Sequence, residues 1–504
     1  MFKRTKSIIK SAGRGALGDP NVRGFIDRHP RFARFIKNRL TPDERFGLYL
    51  TIGVIVTGFF IFLFFGVLQD LIGNDPLVQS DLRVINLVQI FRTPQFTSVM
   101  LFFTYLGNWP VVFAGTFLLC LIFFLRKRWR YLFATLLSVG GGEVFVWILK
   151  NLIKRPRPPL LNALVHEPSY SFPSGHGFVA ITFYGLAAYF LIRAAKNRPL
   201  KILYGFFGLA IVLMIGFSRI YLGVHWPSDV LASYASGAAW LVALVTALEI
   251  RRKFSHVDRH PYLARKYIVS FGILAFAVWA GFVVYYYQSH PLAVRPAVPE
   301  FAAVISAADI PDGIFDKLPR TSETITGSPM EPIDVIIVAT REKLNAAFAA
   351  AGWLPADKIS PATFWRMVKS SLYKKPYPTA PGTPSFWNMV PNELSFEQST
   401  PKNSVSERHH LHLWEAPYIL DDGREVWFGT AHFDRSLGRV GYIIPVHSID
   451  PAIDKERDKV RDDLVSSAQV ESVREFQIVA PTLGKNQAGS LFFTDGKAYV
   501  IFIK

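Results

Sequence analysis

Residues 47–72, GLYLTIGVIVTGFFIFLFFGVLQDLI, establish the class of fold, because Asp70 is their only charged residue. A helix that crosses a bilayer needs roughly 20 predominantly apolar residues, so this stretch is long enough to span. Further runs of the same kind lie at 109–126, 130–150, 176–194, 200–218, 227–249 and 266–287. The sequence therefore predicts an all-α membrane helical bundle of seven spans. The shorter apolar stretch 96–107 is expected to be a re-entrant or interfacial helix that leads into the second span.

Composition and charge agree with a membrane protein. Half of the 504 residues are hydrophobic, and the formal net charge is +18. Such a charge suits either nucleic acid or an anionic membrane surface. The basic residues flank the apolar runs, and the sequence has no zinc-finger spacing and no homeodomain-like helix. We therefore expect the bilayer as a partner and no nucleic acid. Cys120 is the single cysteine, which excludes an intrachain disulfide.

The positions of lysine and arginine predict the orientation of the spans. Basic clusters before residue 47, at 126–130, at 193–201 and at 251–266 fall on one side when seven spans alternate. That side is expected to be the cytoplasm of a bacterium. Everything after about residue 288 then lies on the periplasmic side of the inner membrane. An alternative count treats 96–107 as a span of its own and inverts the C-terminal region.

The chain is expected to divide into four regions. They are a basic cytoplasmic segment at 1–45, a membrane core at 46–250, a cytoplasmic loop with the seventh span at 251–288, and a soluble domain at 289–504. The first is either an amphipathic helix on the membrane surface or a partly disordered tail. The last mixes β-rich runs with helical stretches, which predicts an α/β or α+β fold. Its β-rich runs are 333–338, 424–430, 440–445, 476–479 and 497–503, and its helical stretches are 342–352 and 454–469.

Three short clusters lie at the predicted outer ends of the central spans, where the loop 150–157 breaks the charge rule with four basic residues. The clusters are Lys150 with Arg157-Pro158, then Pro173-Ser174-Gly175-His176, then Ser218-Arg219 with His225 and Asp229. If Lys150, Arg157 and Arg219 converge, they form a site for a polyanion, and arginine matches phosphate oxygens with its planar fork. Ser174 and Gly175 precede a helix, whose free N–H groups bind anions.

His225 and Asp229 are four residues apart, so they meet on one face if Trp226-Pro227 opens a helix. A carboxylate bonded to one imidazole nitrogen fixes the tautomer and leaves the other nitrogen to attack. His176 supplies a second imidazole that can protonate a leaving oxygen. Each feature alone is more often structural, as a hydrogen-bonded histidine or a snorkelling cation. Their occurrence together on one predicted side indicates a phosphoryl-transfer site.

The clusters resemble the three-part signature of the phosphatidic acid phosphatase type 2 (PAP2) superfamily, over about residues 45–250. The resemblance implies a PAP2/haloperoxidase-like helical core that hydrolyses a lipid phosphate or lipid pyrophosphate without a metal or other cofactor. It implies that His225 is the nucleophile that forms a phosphohistidine, that Asp229 orients it and that His176 is the acid. The implied phosphate-binding set is Lys150, Arg157, Ser174, Gly175 and Arg219. Two histidines with opposed protonation states predict a bell-shaped pH profile.

Two other functions stay open from the sequence. The same set of residues holds vanadate in haloperoxidases, but those enzymes are soluble, so a membrane-embedded site disfavours oxidation chemistry. A membrane scaffold or receptor would bind a partner through the outer domain, and the complete catalytic set disfavours that. No motif separates phosphatidic acid, phosphatidylglycerol phosphate, undecaprenyl pyrophosphate and lipid A phosphates as substrates, and none sets the oligomeric state.

The region near 320–475 resembles the LssY C-terminal domain. The matching residues are Pro332-Ile333-Asp334, RHHLHLW at 408–414, VWFG at 426–429, and His447-Ser448-Ile449-Asp450 with Asp454 and Arg457. His410 and His412 alternate by two, so they share one face of a strand that His447 can approach. These histidines either bind a metal or a phosphate, or are hydrogen-bonded side chains of a polar sheet.

Overall fold

The computed structural model of the chain describes residues 20–41, 47–159, 163–254, 265–292, 303–310, 312–316, 318–373, 375–400, 407–440, 444–486 and 488–504. The N-terminal part of these residues is helical, as α1 (Pro20–Arg28) and α2 (Pro30–Leu40). Phe32 and Phe35 of α2 are about half exposed. Exposed aromatic side chains lie among arginines in this helix. Of the two predictions for the N-terminal segment, this pattern favours the amphipathic surface helix over the disordered tail.

The membrane region consists of helices joined by short connections. In chain order they are α3 (Leu48–Gly73), α4 (Pro76–Gln79), α5 (Asp81–Gln89), α6 (Pro94–Leu106), α7 (Trp109–Leu125), α8 (Trp129–Ile153), α9 (Gly175–Ala194), α10 (Arg198–Tyr221), α11 (Pro227–Phe254) and α12 (Arg265–Ser289). Six of those described, α3 and α8 to α12, are long and apolar enough to cross a membrane. The all-α membrane bundle is therefore confirmed.

The bent pair of α6 and α7 is the candidate for a seventh crossing. These helices pass the same test of length and hydropathy only together, and they meet at an angle of 48°. The break falls at Gly107 and Asn108. Pro110 lies in the first turn of α7, and its missing N–H and its ring prevent the helix from continuing unbroken from α6. A helix is present at the predicted 96–107, and such a bend is typical either of a re-entrant segment, as predicted, or of a broken span; the count of seven holds when the pair is one crossing.

The outer surface of this bundle is apolar. Phe62, Leu152 and Ile202 each expose about three quarters of their side chains. A soluble protein rarely leaves so many large apolar side chains uncovered, whereas lipid tails are a suitable solvent for them. The interior is closely packed around Phe178 and Phe183 of α9, which lies at the centre of the bundle. The bundle therefore presents a lipid-facing surface and a packed interior that fixes the helix ends.

The C-terminal region forms a mixed α/β domain, which confirms the predicted class. Its strands are β1 (Ala303–Ile305), β2 (Thr321–Glu323), β3 (Pro329–Pro332), β4 (Val335–Ala339), β5 (Leu354–Pro355), β6 (Phe386–Trp387), β7 (Val390–Pro391), β8 (Leu394–Ser399), β9 (Arg408–Leu420), β10 (Glu425–Val440), β11 (Ile444–Ile449), β12 (Val470–Gln477), β13 (Thr482–Lys485), β14 (Leu491–Thr494) and β15 (Lys497–Ile503). Its helices are α13 (Asp312–Phe315), α14 (Arg341–Ala350), α15 (Pro361–Tyr373) and α16 (Asp454–Ser466).

The main sheet has the order β12-β15-β4-β10-β9-β8-β5, with β1 beside β9 and β11 beside β10. Strands β15 and β4 run parallel, whereas β10 pairs antiparallel with β4 and with β9. One face packs against α14 and α16 through side chains such as Phe348 and Leu464. The opposite face buries Trp414 and Phe428 at one end and carries polar side chains at the other.

Two of the predicted strands need correction or fall partly outside the described residues. The strand predicted at 476–479 begins earlier, because β12 runs from Val470 to Gln477. It is the edge strand of the sheet, so charged side chains on its solvent face hide the β pattern from a hydropathy reading. The run predicted at 440–445 includes 441–443, which lie outside the described residues.

Candidate active site

The predicted site residues lie at one end of the membrane bundle. Lys150 is in the last turn of α8, His176 in the first turn of α9, Arg219 in the last turn of α10 and Asp229 in the first turn of α11. Because successive spans alternate in direction, these four helix ends lie on the same side. The last span also ends there, since the Tyr105 hydroxyl of α6 donates to the His290 carbonyl just after α12.

His225 and Asp229 form a direct pair. Helix α11 begins at Pro227, and the His225 Nδ1 lies 3.3 Å from the Asp229 Oδ2. The same carboxylate oxygen accepts the Trp226 N–H at 3.0 Å and the Ser171 hydroxyl. Both side chains of the pair are buried. A carboxylate held in this way orients the imidazole and keeps the proton on Nδ1, so that Nε2 faces away from the acid.

The Nε2 side of the His225 imidazole faces a cation. The Arg157 Nη1 lies 3.3 Å from the His225 Nε2, and the same guanidinium donates to the Ser169 carbonyl at 2.6 Å. Burial first, and then the charge of Arg157, lower the pKa of His225 well below its usual value of 6.5. The imidazole is therefore neutral at neutral pH, and the lone pair on its Nε2 accepts from Arg157. Burial lowers the pKa of Arg157 to about 10, which leaves it cationic.

The other two predicted cations surround the same space. The Lys150 ammonium donates to the Tyr170 carbonyl, in the loop that also holds Arg157. Arg219 is fully buried and donates from Nη1 to the Thr104 hydroxyl at 2.5 Å. Its second terminal nitrogen pairs with the Glu167 carboxylate. The Arg219 Nε has no hydrogen-bond partner in the part of the chain that the structure describes, so it points to an acceptor from a ligand.

Ser174 and Gly175 form the start of α9. The Ser174 hydroxyl caps the helix by accepting the Gly177 N–H at 3.3 Å. Its own backbone N–H donates to the Asp229 carbonyl at 3.2 Å, which ties this turn to α11. The helix terminus is thereby held beside the paired acid.

His176 lies against the bend between α6 and α7. Its Nε2 is 2.8 Å from the Asn108 Oδ1. A Cβ on Gly107 would lie 2.6 Å from the imidazole, so glycine is what allows this close approach. The same charged groups act on both histidines, namely Lys150, Arg157, Glu167 and Arg219. The structure thus places the two imidazoles in one shared electrostatic environment.

Sequence reasoning missed a buried network of hydrogen bonds and ion pairs around the Asp229 carboxylate. Arg155 donates from Nη1 to the Asp229 Oδ1 at 2.6 Å and from Nη2 to the Asp81 Oδ2 at 2.7 Å. Asp81, in α5, also accepts the Ser228 backbone N–H at 2.9 Å. The only sequence signal was the excess of basic residues at 150–157. Nothing in the sequence connected that loop to Asp81, nor His176 to Asn108 or Arg219 to Glu167.

The C-terminal histidines meet in part as expected. His410 and His412 share one face of β9, and His432 of β10 joins them. The sequence had suggested His447 as the third member. His447 pairs through its backbone with β10, but its side chain lies outside the described part of the chain.

Comparisons with known proteins match two separate regions of the chain. A family model described as the PAP2 superfamily matches residues 127–253, and one described as LssY C-terminus matches residues 315–498. Over 186 residues the chain is 37% identical to phosphatidylglycerophosphatase B of Bacillus subtilis, covering 35% of this chain and 87% of that protein. It is 28% identical over 197 residues to an undecaprenyl-diphosphatase of Sulfolobus acidocaldarius, covering 38% of this chain and 88% of that protein.

Among solved structures, the chain is similar to the first transmembrane PAP2 type phosphatidylglycerolphosphate phosphatase from Bacillus subtilis. The similarity has 29% sequence identity and a TM-score of 0.34, and it covers 41% of this chain and 98% of the other.

Proposed function

Since the chain belongs to the PAP2 superfamily, we propose that it hydrolyses a phosphomonoester or pyrophosphate of a lipid through a phosphohistidine on His225. The observation that carries the proposal is the geometry of His225, whose Nδ1 faces Asp229 while its Nε2 faces the Arg157 guanidinium. Only a neutral imidazole with a lone pair on Nε2 can attack phosphorus, and this arrangement supports one, next to a cation that binds phosphoryl oxygens.

The proposed reaction has two steps. The His225 Nε2 attacks phosphorus in line, the bond to the leaving oxygen breaks, and His176 gives that oxygen a proton. Water then attacks the phosphohistidine, His176 takes a proton from the water, and inorganic phosphate leaves. Lys150, Arg157 and Arg219, with the Gly175 N–H at the start of α9, offset the negative charge of the phosphoryl oxygens in both steps, and Ser174 holds that turn against α11.

Asp229 and Arg155 are assigned positioning roles. Asp229 holds the His225 ring, and Arg155 holds Asp229 from behind without facing the phosphoryl position.

The proposed chemistry needs no metal ion. In the described site, Asp81 and Asp229 both pair with Arg155, and Glu167 pairs with Arg219. Carboxylates committed to guanidinium groups do not form the oxygen cluster that Mg²⁺ or Ca²⁺ requires. Activity is therefore expected to persist in excess chelator.

We place the proposed enzyme in a bacterial inner membrane, with the phosphatase unit at about 46–250. The positive-inside pattern puts the active site and the domain after residue 288 on the periplasmic side. The substrate class is supported by the names of the relatives, which act on a phosphatidylglycerol phosphate and on undecaprenyl diphosphate.

The decisive test is phosphate release by the detergent-solubilised full chain and its His225→Ala variant, over phosphatidic acid, phosphatidylglycerol phosphate, undecaprenyl pyrophosphate and lipid A. Loss of the nucleophile should reduce turnover by on the order of 10⁴-fold or more. The acidic limb of kcat/KM for the wild type should fall below pH 6.5, because the neutral form of His225 is the reactive one.

His166→Ala is the matched control, since His166 is an exposed histidine of the same loop region, and it should keep full activity. Turnover retained by His225→Ala, or abolished by EDTA in the wild type, would contradict the proposal.

A further inference from the structure

Three histidines of the C-terminal domain converge on the polar end of the main sheet. His410 on β9 stands directly opposite His432 on β10, and His412 lies two residues further along the same face of β9. One ring nitrogen from each residue lies within 4.8 Å of the other two. The His410 Nε2 and the His412 Nε2 are 3.0 Å apart. Two imidazole ligands of one tetrahedral Zn²⁺ have nitrogens about 3.3 Å apart, which is close to this separation.

We propose that His410, His412 and His432 bind a Zn²⁺ ion in the C-terminal domain, separate from the phosphatase site. Imidazole nitrogens are ligands for zinc and related transition metals, whereas Mg²⁺ and Ca²⁺ prefer oxygen. Three protein ligands leave the fourth tetrahedral position to water. The three histidines line a cavity of about 50 Å³, together with Met330, Ser385 and Asn486, which leaves room for that water.

Each histidine has a polar group beside its ring that can select which nitrogen binds the ion. Glu397 of β8 lies 2.6 Å from the His410 Nδ1, and the Ser395 hydroxyl is 3.2 Å from the His412 Nδ1. The Asp434 carboxylate faces the His432 Nε2 at 3.6 Å. A carboxylate behind an imidazole keeps the proton on the rear nitrogen and turns the lone pair of the other nitrogen towards the metal. His410 and His412 would therefore coordinate through Nε2, and His432 through Nδ1.

The ligands are held rigidly before any ion binds. All three histidine side chains are more than nine-tenths buried. Gly382 brings a loop against His410, since a Cβ there would lie 2.4 Å from the ring. The Arg408 guanidinium anchors the same loop by donating to the Ala380 carbonyl at 2.6 Å. A site whose ligands are fixed by packing loses little entropy when the ion binds.

The charges around the pocket favour a cation over an anion. Glu397, Asp434 and Glu331 are all buried there, and Arg408 is the cation that pairs with the first two. Buried carboxylates in excess of their counter-ions are costly, and a divalent cation held by neutral imidazoles offsets them. The phosphate alternative considered from the sequence is disfavoured for the same reason.

The test uses the full-length protein, purified in detergent through a tag without histidine and stripped with a chelator. After titration with Zn²⁺ and gel filtration, elemental analysis should find about one zinc per wild-type chain. His412→Gln and His432→Gln should lose it, and zinc should raise the Tm of the wild type but not of these variants. Glu397→Gln leaves every ligand in place and should weaken zinc binding about 10- to 100-fold.

His409→Gln is the matched control, because His409 is the neighbour on the opposite face of β9 and pairs with Glu456. It should bind zinc like the wild type. If a ligand variant does not fold, the visible spectrum of wild-type protein loaded with Co²⁺ decides, since nitrogen ligands in a tetrahedral site give characteristic bands. A wild type that binds no stoichiometric zinc, a His432→Gln variant that keeps it, or equal loss in His409→Gln would overturn the proposal. The first result identifies the cluster as hydrogen-bonded histidines.

Discussion

Glu167 places a carboxylate of the chain itself against Arg219, one of the cations expected to hold a phosphoryl oxygen. Burial alone would raise the pKa of Glu167, but Arg219 and the nearby His176 and Arg157 lower it to about 2. The carboxylate is therefore ionised at every pH at which the enzyme is expected to work. An anion of the protein and the phosphate of a substrate then compete for the same guanidinium, and the charge that Glu167 brings to this competition does not change with pH.

Replacing Glu167 by Gln should strengthen the binding of phosphate-like anions. The amide keeps the shape of the side chain but removes the negative charge, so Arg219 becomes more available to the substrate. We expect a lower KM and tighter inhibition by inorganic phosphate, by about 5- to 30-fold, as for a charge-assisted contact of 1–2 kcal/mol. Steady-state kinetics at pH 6 and pH 8 check this, and the effect should be equal at both. A higher KM at either pH would show that Glu167 assists binding.

Among the helices, α10 and α11 bring Arg219 and Asp229 together, and their contact depends on Gly216. A Cβ at that position would lie 1.9 Å from the Tyr234 hydroxyl oxygen of α11 and 2.8 Å from the Val230 side chain. The Tyr234 hydroxyl in turn donates to the Val212 carbonyl of α10 at 2.9 Å. Because Gly216 has no side chain, α10 and α11 can approach this closely. Each of the two helices carries a site residue.

Gly216→Ala should separate α10 from α11 and reduce both stability and activity. Overpacking of a close contact costs about 1–3 kcal/mol, and the shift would move Arg219 relative to Asp229. Gly205→Ala in the same helix is the control, because its Cβ would meet only the Ile192 side chain at 3.8 Å. That control should be neutral or stabilising by up to about 1 kcal/mol, since alanine favours a helix. Thermal unfolding in detergent and kcat/KM measure the difference, and two variants with equal behaviour would refute it.

In the whole molecule, the short helix α5 connects the active site to the C-terminal domain. Asp81 at its start holds Arg155 and Ser228 next to Asp229. Two residues later, Arg83 forms a buried ion pair with Glu323 of β2 at 2.6 Å. The Glu323 carboxylate also accepts the Met389 N–H at 2.6 Å. The C-terminal domain thus contacts the same helix that supports the active site.

Glu323→Gln should loosen this contact and lower kcat. Removing one charge from a buried pair leaves Arg83 uncompensated and costs about 3–5 kcal/mol of the contact between the domains. We expect a several-fold loss of kcat, with faster proteolytic release of the C-terminal domain. Phosphate release and limited proteolysis in detergent measure the two effects.

Arg341→Gln serves as the control, because its contacts all lie within the C-terminal domain: exposed pairs with Glu393 and Glu415 and a cation–π contact with Trp427. Exposed pairs of this kind contribute about 0–1 kcal/mol. If both variants keep wild-type kcat, the domain contact has no influence on the active site.

Hydropathy, the distribution of positive charge and the spacing of three motifs were enough to establish the membrane bundle, the second domain and the chemistry-bearing residues at the helix ends. These properties are local, since a span is a continuous apolar run and His225 reaches Asp229 within one helical turn. A separate short helix at 96–107 was also predicted, because that apolar stretch is too short to span by itself.

Tertiary packing alone established the partners of those residues. Arg155 meets Asp81 across 74 positions of sequence, Asn108 meets His176 across 68, and Glu167 meets Arg219 across 52. His432 joins His410 only because β9 and β10 pair in one register. Such contacts depend on how separate elements pack, and the composition of each segment carries no record of that packing. The physical reason is that side chains far apart in the chain gain their energy of interaction only once the fold has brought them together.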